Sequence, residues 1–208
     1  MTLADGEIRR QFGTAFFIDK KFLITAGHNT FSKDGQIKIQ IIQPGLSHVN
    51  YSKYLNGGYD TIDCTVVGSL FQVNGPAEKD IAILYAGSYS VSVDHFVQIS
   101  DNVPQQGDYV DVIGYPGEIN TAWMRRQEPQ VNDIDESLKD AEKLLPKRTL
   151  TVTRGTVKSA GPIVEYNLST CPGMSGSCVL HKGKVIGIDP LQSKKYVITR
   201  NRCAYWPV

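Results

Sequence analysis

Short runs of β-branched, aromatic and aliphatic residues, each closed by Gly, Pro, Asn or Asp, recur along almost the whole chain. TAFFID, KFLITA, QIKIQII, CTVVGSLF, IAILYA, YVDVIGY, TLTVTRGTVKSA, PIVEYN, SCVL, KVIGID and KYVIT all have this character. The turn formers KDG (33–35), NGG (56–58), QQGD (105–108) and HKGK (181–184) fall between them. Many short strands at such spacing predict an all-β sandwich or barrel. No internal repeat or heptad pattern competes with that reading. One segment breaks the rhythm. Within 127–148, Ile134, Leu138, Ala141 and Leu145 line one face of a helix, Asp133 and Glu136 form a capping-box pattern, and Pro146 ends it. One short helical insertion at about 133–145 is expected, either a connector packed on the β body or a lid facing substrate.

At 208 residues, 41% hydrophobic and 21% charged, the chain can bury a core without staples. Its 22 basic and 21 acidic residues leave no electrostatic footprint for nucleic acid or a membrane surface, and neither partner is expected. The basic clusters PKRTLTVTR and SKKYVITRNR alternate with β-formers as solvated strand faces do. No apolar run reaches the roughly 18 residues of a helical membrane span. MTLADGEIRR lacks the apolar centre of a signal peptide, and Cys64, Cys171, Cys178 and Cys203 read as packed thiols. Both features favour a cytoplasmic setting, with a mature secreted domain as the alternative. The cysteine and histidine spacings fit no zinc clamp, and no glycine-rich phosphate cradle is present, so no metal or cofactor is expected.

Three stretches carry chemistry. FLITAGHN puts His28 directly after a hydrophobic strand, EKDIAIL puts Asp80 before another, and CPGMSGS puts Ser175 in a glycine-flanked turn. A serine hydroxyl is a weak nucleophile until an imidazole takes its proton, and the imidazole needs a carboxylate to fix its tautomer. Attack on a carbonyl also builds charge on oxygen, which the Gly173 and Ser175 amides are placed to receive. The Gly-x-Ser-x-Gly elbow of α/β-hydrolases is excluded, because Ser177 stands where its second glycine belongs.

TAGH, DIAIL and GMSGS, in the order His, Asp, Ser, resemble the trypsin-like (chymotrypsin-fold) serine endopeptidases, and SGS is most similar to their V8-like, glutamyl-endopeptidase branch. The resemblance implies two six-stranded antiparallel β-barrels. Residues 1–100 would form the first, with His28 and Asp80, and 101–208 the second, with Ser175. His28 would be the general base, Asp80 its orienter and Ser175 the nucleophile, with the Gly173 and Ser175 amides as oxyanion hole and a protein or peptide as substrate. Ser169, Thr170, Asp189, Pro190 and Leu191 would line the P1 pocket. Asp189 stands where the glutamyl-specific branch has a histidine. A carboxylate there favours Lys or Arg at P1, unless it faces solvent or bonds a backbone amide. If any disulfide forms, the resemblance makes Cys171–Cys203 the pair.

The departures open alternatives. No IVGG-like stretch exists to release a new N-terminus, and Met174 replaces the aspartate that would pair with it, so that route of activation is excluded. Pro190 restricts the strand expected to pair with substrate. The chain could therefore be a pseudoprotease used as a binding module, or a protease domain ordered by a regulatory domain or partner. A third rival is a cysteine hydrolase using Cys171 or Cys178.

Overall fold

The computed structural model describes residues 12–31, 39–42, 61–87, 96–127, 130, 132–161, 163–190 and 201–205, with backbone alone for 40–42, 61–62, 127 and 201–205. Strands β1 (Ala15–Phe17), β2 (Phe22–Thr25), β3 (Ile39–Ile42), β4 (Thr61–Ser69) and β5 (Ala82–Tyr85) form an antiparallel sheet in the order β1-β2-β5-β4-β3. Strands β6 (Tyr109–Gly114), β7 (Thr151–Ser159), β8 (Ile163–Asn167), β9 (Cys178–His181), β10 (Lys184–Ile188) and β11 (Asn201–Tyr205) close into a barrel in the order β10-β11-β8-β7-β6-β9. The all-β architecture with two β units is as expected. The second unit is the six-stranded barrel, and the first counts five strands among the described residues.

Alternation explains the barrel. In β6, Val110 and Val112 are buried while Tyr109 is exposed, and in β8, Val164 and Tyr166 are buried on one face. Those side chains meet Val157, Val179 and Ile186 in one cluster. The N-terminal sheet buries Leu23, Leu84 and Ala86 on one side, while Ile24, Ala26 and Ile81 pack against Ile188 at the end of β10. Ile188 thus joins the two halves. The register of β10 against β9 shifts between Val185 and Gly187, just before the strand reaches Asp189.

Among the described residues two helices, not one, lie between β6 and β7. The expected one is α2 (Ile134–Leu144), with the Asp133 carboxylate accepting from the Asp135 and Glu136 amides. Ile134, Leu138 and Ala141 pack on the barrel core, as the periodicity requires. The unexpected one is α1 (Thr121–Gln127), begun by the Asn120 side chain accepting from the Trp123 amide at 2.9 Å and anchored by buried Met124. Two turns are too short for a period to emerge from sequence.

Candidate active site

Strand β2 runs through Ala26 into a one-turn 3-10 helix, Gly27–Thr30, which carries His28. Gly27 is required because a Cβ there would strike the Phe71 side chain. Asp80 follows a second 3-10 turn, Ala77–Lys79, and lies at φ −81°, ψ 62° with the Ile81 amide donating to Lys79 O at 2.9 Å. This inverse γ-turn aims the carboxylate at His28. Asp80 accepts the His28 backbone N–H at 2.8 Å and Nδ1 at 2.7 Å. With Nδ1 donating, Nε2 is the ring nitrogen left with a lone pair. The Phe71 ring stands edge-on to His28, centroids 6.3 Å apart.

Ser175 occupies the loop between β8 and β9. Its carbonyl accepts from the Thr14 amide at 2.8 Å and from Asn29 Nδ2 at 3.0 Å, which ties the serine backbone to the segment bearing His28. Ser175 is 3% exposed, and among the described residues His28 Nε2 has no hydrogen-bond partner. Gly176, at φ +87°, donates to Asp189 O at 2.8 Å, and a Cβ there would collide with Thr14 O.

The turn before the serine is equally constrained. Met174 N donates to Cys171 O at 3.1 Å across Pro172 and Gly173, and Gly173 has φ +92°. Proline followed by a positive-φ glycine is the signature of a type II turn. Pro172 O accepts from the Gly117 amide at 2.6 Å. Because carbonyl and N–H point oppositely across a trans peptide, this holds the Gly173 N–H away from Gly117. Among the described residues neither the Gly173 nor the Ser175 amide has an acceptor.

The remaining sequence candidates divide. Asp189 is buried, accepts the Tyr166 hydroxyl at 2.7 Å and is also hydrogen-bonded by Thr170. Burial raises its carboxyl to about 7, against the lowering effect of those two hydroxyls. It therefore does not face solvent, and its partners are the Tyr166 and Thr170 hydroxyls. Ser169 and Thr170 are half-buried and Pro190 is buried, whereas Leu191 lies outside the described residues. Cys171 and Cys178 are buried free thiols, pushed up by that burial to about 12 and about 11. Neither is a thiolate near neutral pH, which removes the basis for a cysteine nucleophile. The Cys203 side chain lies outside the described residues. Sequence reasoning missed Thr14, Asn29, Gly117 and Tyr166, each of which acts through a contact distant in sequence. A cavity of about 450 Å³ among Ser100, Asn102, Asp108, His181, Lys182 and Lys184 includes none of the predicted site residues.

The pattern of the trypsin-like peptidase domain family matches residues 13–188. The chain belongs to that family. The match spans every strand from β1 to β10, together with His28, Asp80 and Ser175. Among solved structures, this trypsin-like peptidase domain is similar to a serine protease of human pathogenic astrovirus, at 18% identity and TM-score 0.53 over 94% of this chain and 83% of that one. It is also similar to a Glu endopeptidase bound to MPD, at 15% identity and TM-score 0.61 over 99% and 90% of the two chains. At these identities the likeness establishes the chymotrypsin-like double β-barrel fold. Comparison with curated protein sequences finds no significant match.

Proposed function

We propose that this trypsin-like peptidase domain is a serine endopeptidase that cleaves protein or peptide substrates through His28, Asp80 and Ser175. The observation that carries the reading is the Asp80 carboxylate accepting both N–H groups of His28, which leaves Nε2 as the only basic ring atom. Ser175 attacks the scissile carbonyl as Nε2 takes its hydroxyl proton, and the resulting oxyanion is held by the Gly173 and Ser175 amides. The imidazolium then protonates the leaving amine, and water repeats the sequence to release the acid. Supporting this, both amides are without acceptors among the described residues, and the loop bearing them has a residue, Gly173, able to adopt φ +92°. Activation needs no N-terminal ion pair, since Met174 is fully buried among apolar neighbours.

We assign Ser169, Thr170, Asp189, Pro190 and Leu191 to the P1 pocket, with Asp189 selecting Lys or Arg when ionised. Within the family we group the chain with the V8-like branch on its SGS motif, but with the opposite charge preference. A second reading, a latent domain awaiting a partner, is favoured by the buried hydroxyl-bearing Ser175 and the unpaired His28 Nε2. Labelling with a fluorophosphonate decides between the two. The protease reading expects the wild type to label and Ser175→Ala and His28→Ala to stay blank. A folded wild type that does not label on its own supports latency. A P1-varied peptide library tests specificity, and cleavage after Glu in preference to Lys or Arg overturns the role given to Asp189.

A further inference from the structure

Thr14 lies just ahead of β1, far in sequence from the nucleophile, yet it is 4% exposed and its polar atoms all engage the site or its supports. Its amide donates to Ser175 O at 2.8 Å, and its carbonyl accepts from Thr25 Oγ1 at 2.7 Å. Its hydroxyl accepts from the Tyr115 amide at 3.0 Å and donates to Gly173 O at 2.9 Å. We propose that Thr14 is a positioning residue that holds the Gly173 and Ser175 amides in their oxyanion-binding orientation. The inference rests on the serine-endopeptidase reading.

A hydroxyl has one proton, and the Tyr115 N–H occupies a lone pair, so that proton is committed to Gly173 O. The bond fixes the plane of the Gly173–Met174 peptide, while the Gly117 amide fixes the Pro172–Gly173 plane from the other side. With both planes held, φ and ψ of Gly173 are held too, and its N–H cannot turn away without breaking one of these bonds. The next two carbonyls are also engaged, Met174 O by the Ser177 amide at 2.8 Å and Ser175 O by Thr14 and Asn29. Thus the carbonyls of residues 172 to 175 are all tied down, two of them by Thr14, and the amides of Gly173 and Ser175 remain available. A collapsed loop, with the Pro172 carbonyl rotated into the oxyanion position, would have to give up the Gly117 bond and strain the Thr14 bond.

The test compares wild type, Thr14→Val and Thr14→Ser for turnover of a peptide substrate, affinity for a peptide boronate and thermal midpoint. Thr14→Val keeps the shape and removes the proton, so kcat should fall about 100-fold and boronate affinity by a similar factor, with KM changed less than about twofold. Thr14→Ser should stay within about threefold of wild type on all three readouts. A folded Thr14→Val that keeps kcat, or a Thr14→Ser that loses as much as Thr14→Val, overturns the proposal. Should Thr14→Val not fold, Thr14→Cys, with a much weaker donor, is expected to lose kcat, and full activity there overturns it. A folded wild type that neither labels nor turns over overturns the endopeptidase reading, and this proposal with it. An active wild type with an unimpaired Thr14→Val overturns the Thr14 role alone.

Discussion

In the C-terminal barrel, six strands close around one cluster that includes Val110, Val112, Val164, Tyr166, Val179 and Ile186, and two helices cover part of it. In the N-terminal sheet, the described core is two small clusters, one of them completed by Ile188 from the other half, and Val66, Val67 and Leu70 are exposed. The difference follows the work each half does. The barrel supports a loop with two glycines at positive φ and four tethered carbonyls. The sheet has only to present one imidazole, which a single carboxylate can fix through two hydrogen bonds. A small core suffices where local hydrogen bonding sets the geometry. A closed, tightly packed one accompanies the glycine turn.

The contrast is broken most severely by Asp80→Asn, which leaves the sheet folded but lets the ring adopt the wrong tautomer. We expect kcat to fall on the order of 10⁴-fold with KM little changed, read by steady-state kinetics. If KM rises instead with kcat intact, the sheet does more than orient the base.

Asp189 tests the barrel's side. Its folded pKa of about 7 stands above the ordinary 3.8, so between those values the folded state keeps a proton that the unfolded chain has released. Stability should therefore fall as pH rises from about 4 to about 7, by on the order of 4 kcal/mol, and level off above. Urea denaturation across that range should show the decline in wild type and a markedly shallower one in Asp189→Asn. In wild type, discrimination for Lys or Arg at P1 should grow through the same window as the carboxylate ionises.

Truncations sharpen the packing comparison. Ile186→Ala in the closed barrel should cost about 4 kcal/mol, and Leu84→Ala in the smaller cluster about 2–3 kcal/mol, because a less enclosed site relaxes more easily. Equal losses by chemical denaturation would mean the two cores are equally rigid. The smallest effect belongs to Asp133→Ala, which removes the α2 cap at about 1 kcal/mol and should leave turnover unchanged. A loss of activity there would revive the lid role for the helical segment.

Much of this was legible in the amino-acid pattern. Alternation and turn residues announced the β architecture, and Ile134, Leu138 and Ala141 announced α2 because eleven residues span enough turns for a face to emerge. TAGH, DIAIL and GMSGS marked the triad candidates because glycine and buried strand ends leave local traces. Helix α1 left none, being only seven residues long. Nor did Thr14, whose bonds to Gly173 and Tyr115 cross 159 and 101 residues. One of the two hydroxyls on Asp189 came from Tyr166, placed there by barrel closure rather than by any neighbouring motif. Contacts made only when distant strands meet have no signature in a local window.

The shared cluster of Ile24, Ala26, Ile81 and Ile188 has a bearing on biosynthesis. A ribosome delivers His28 and Asp80 early, but Ile188, which completes the cluster beside them, emerges roughly a hundred residues later, after Ser175. Until then the cluster of Ile24, Ala26 and Ile81 lacks its fourth member. The hydrophobic plug thus makes completion of this part of the N-terminal core wait for β10 to be synthesised.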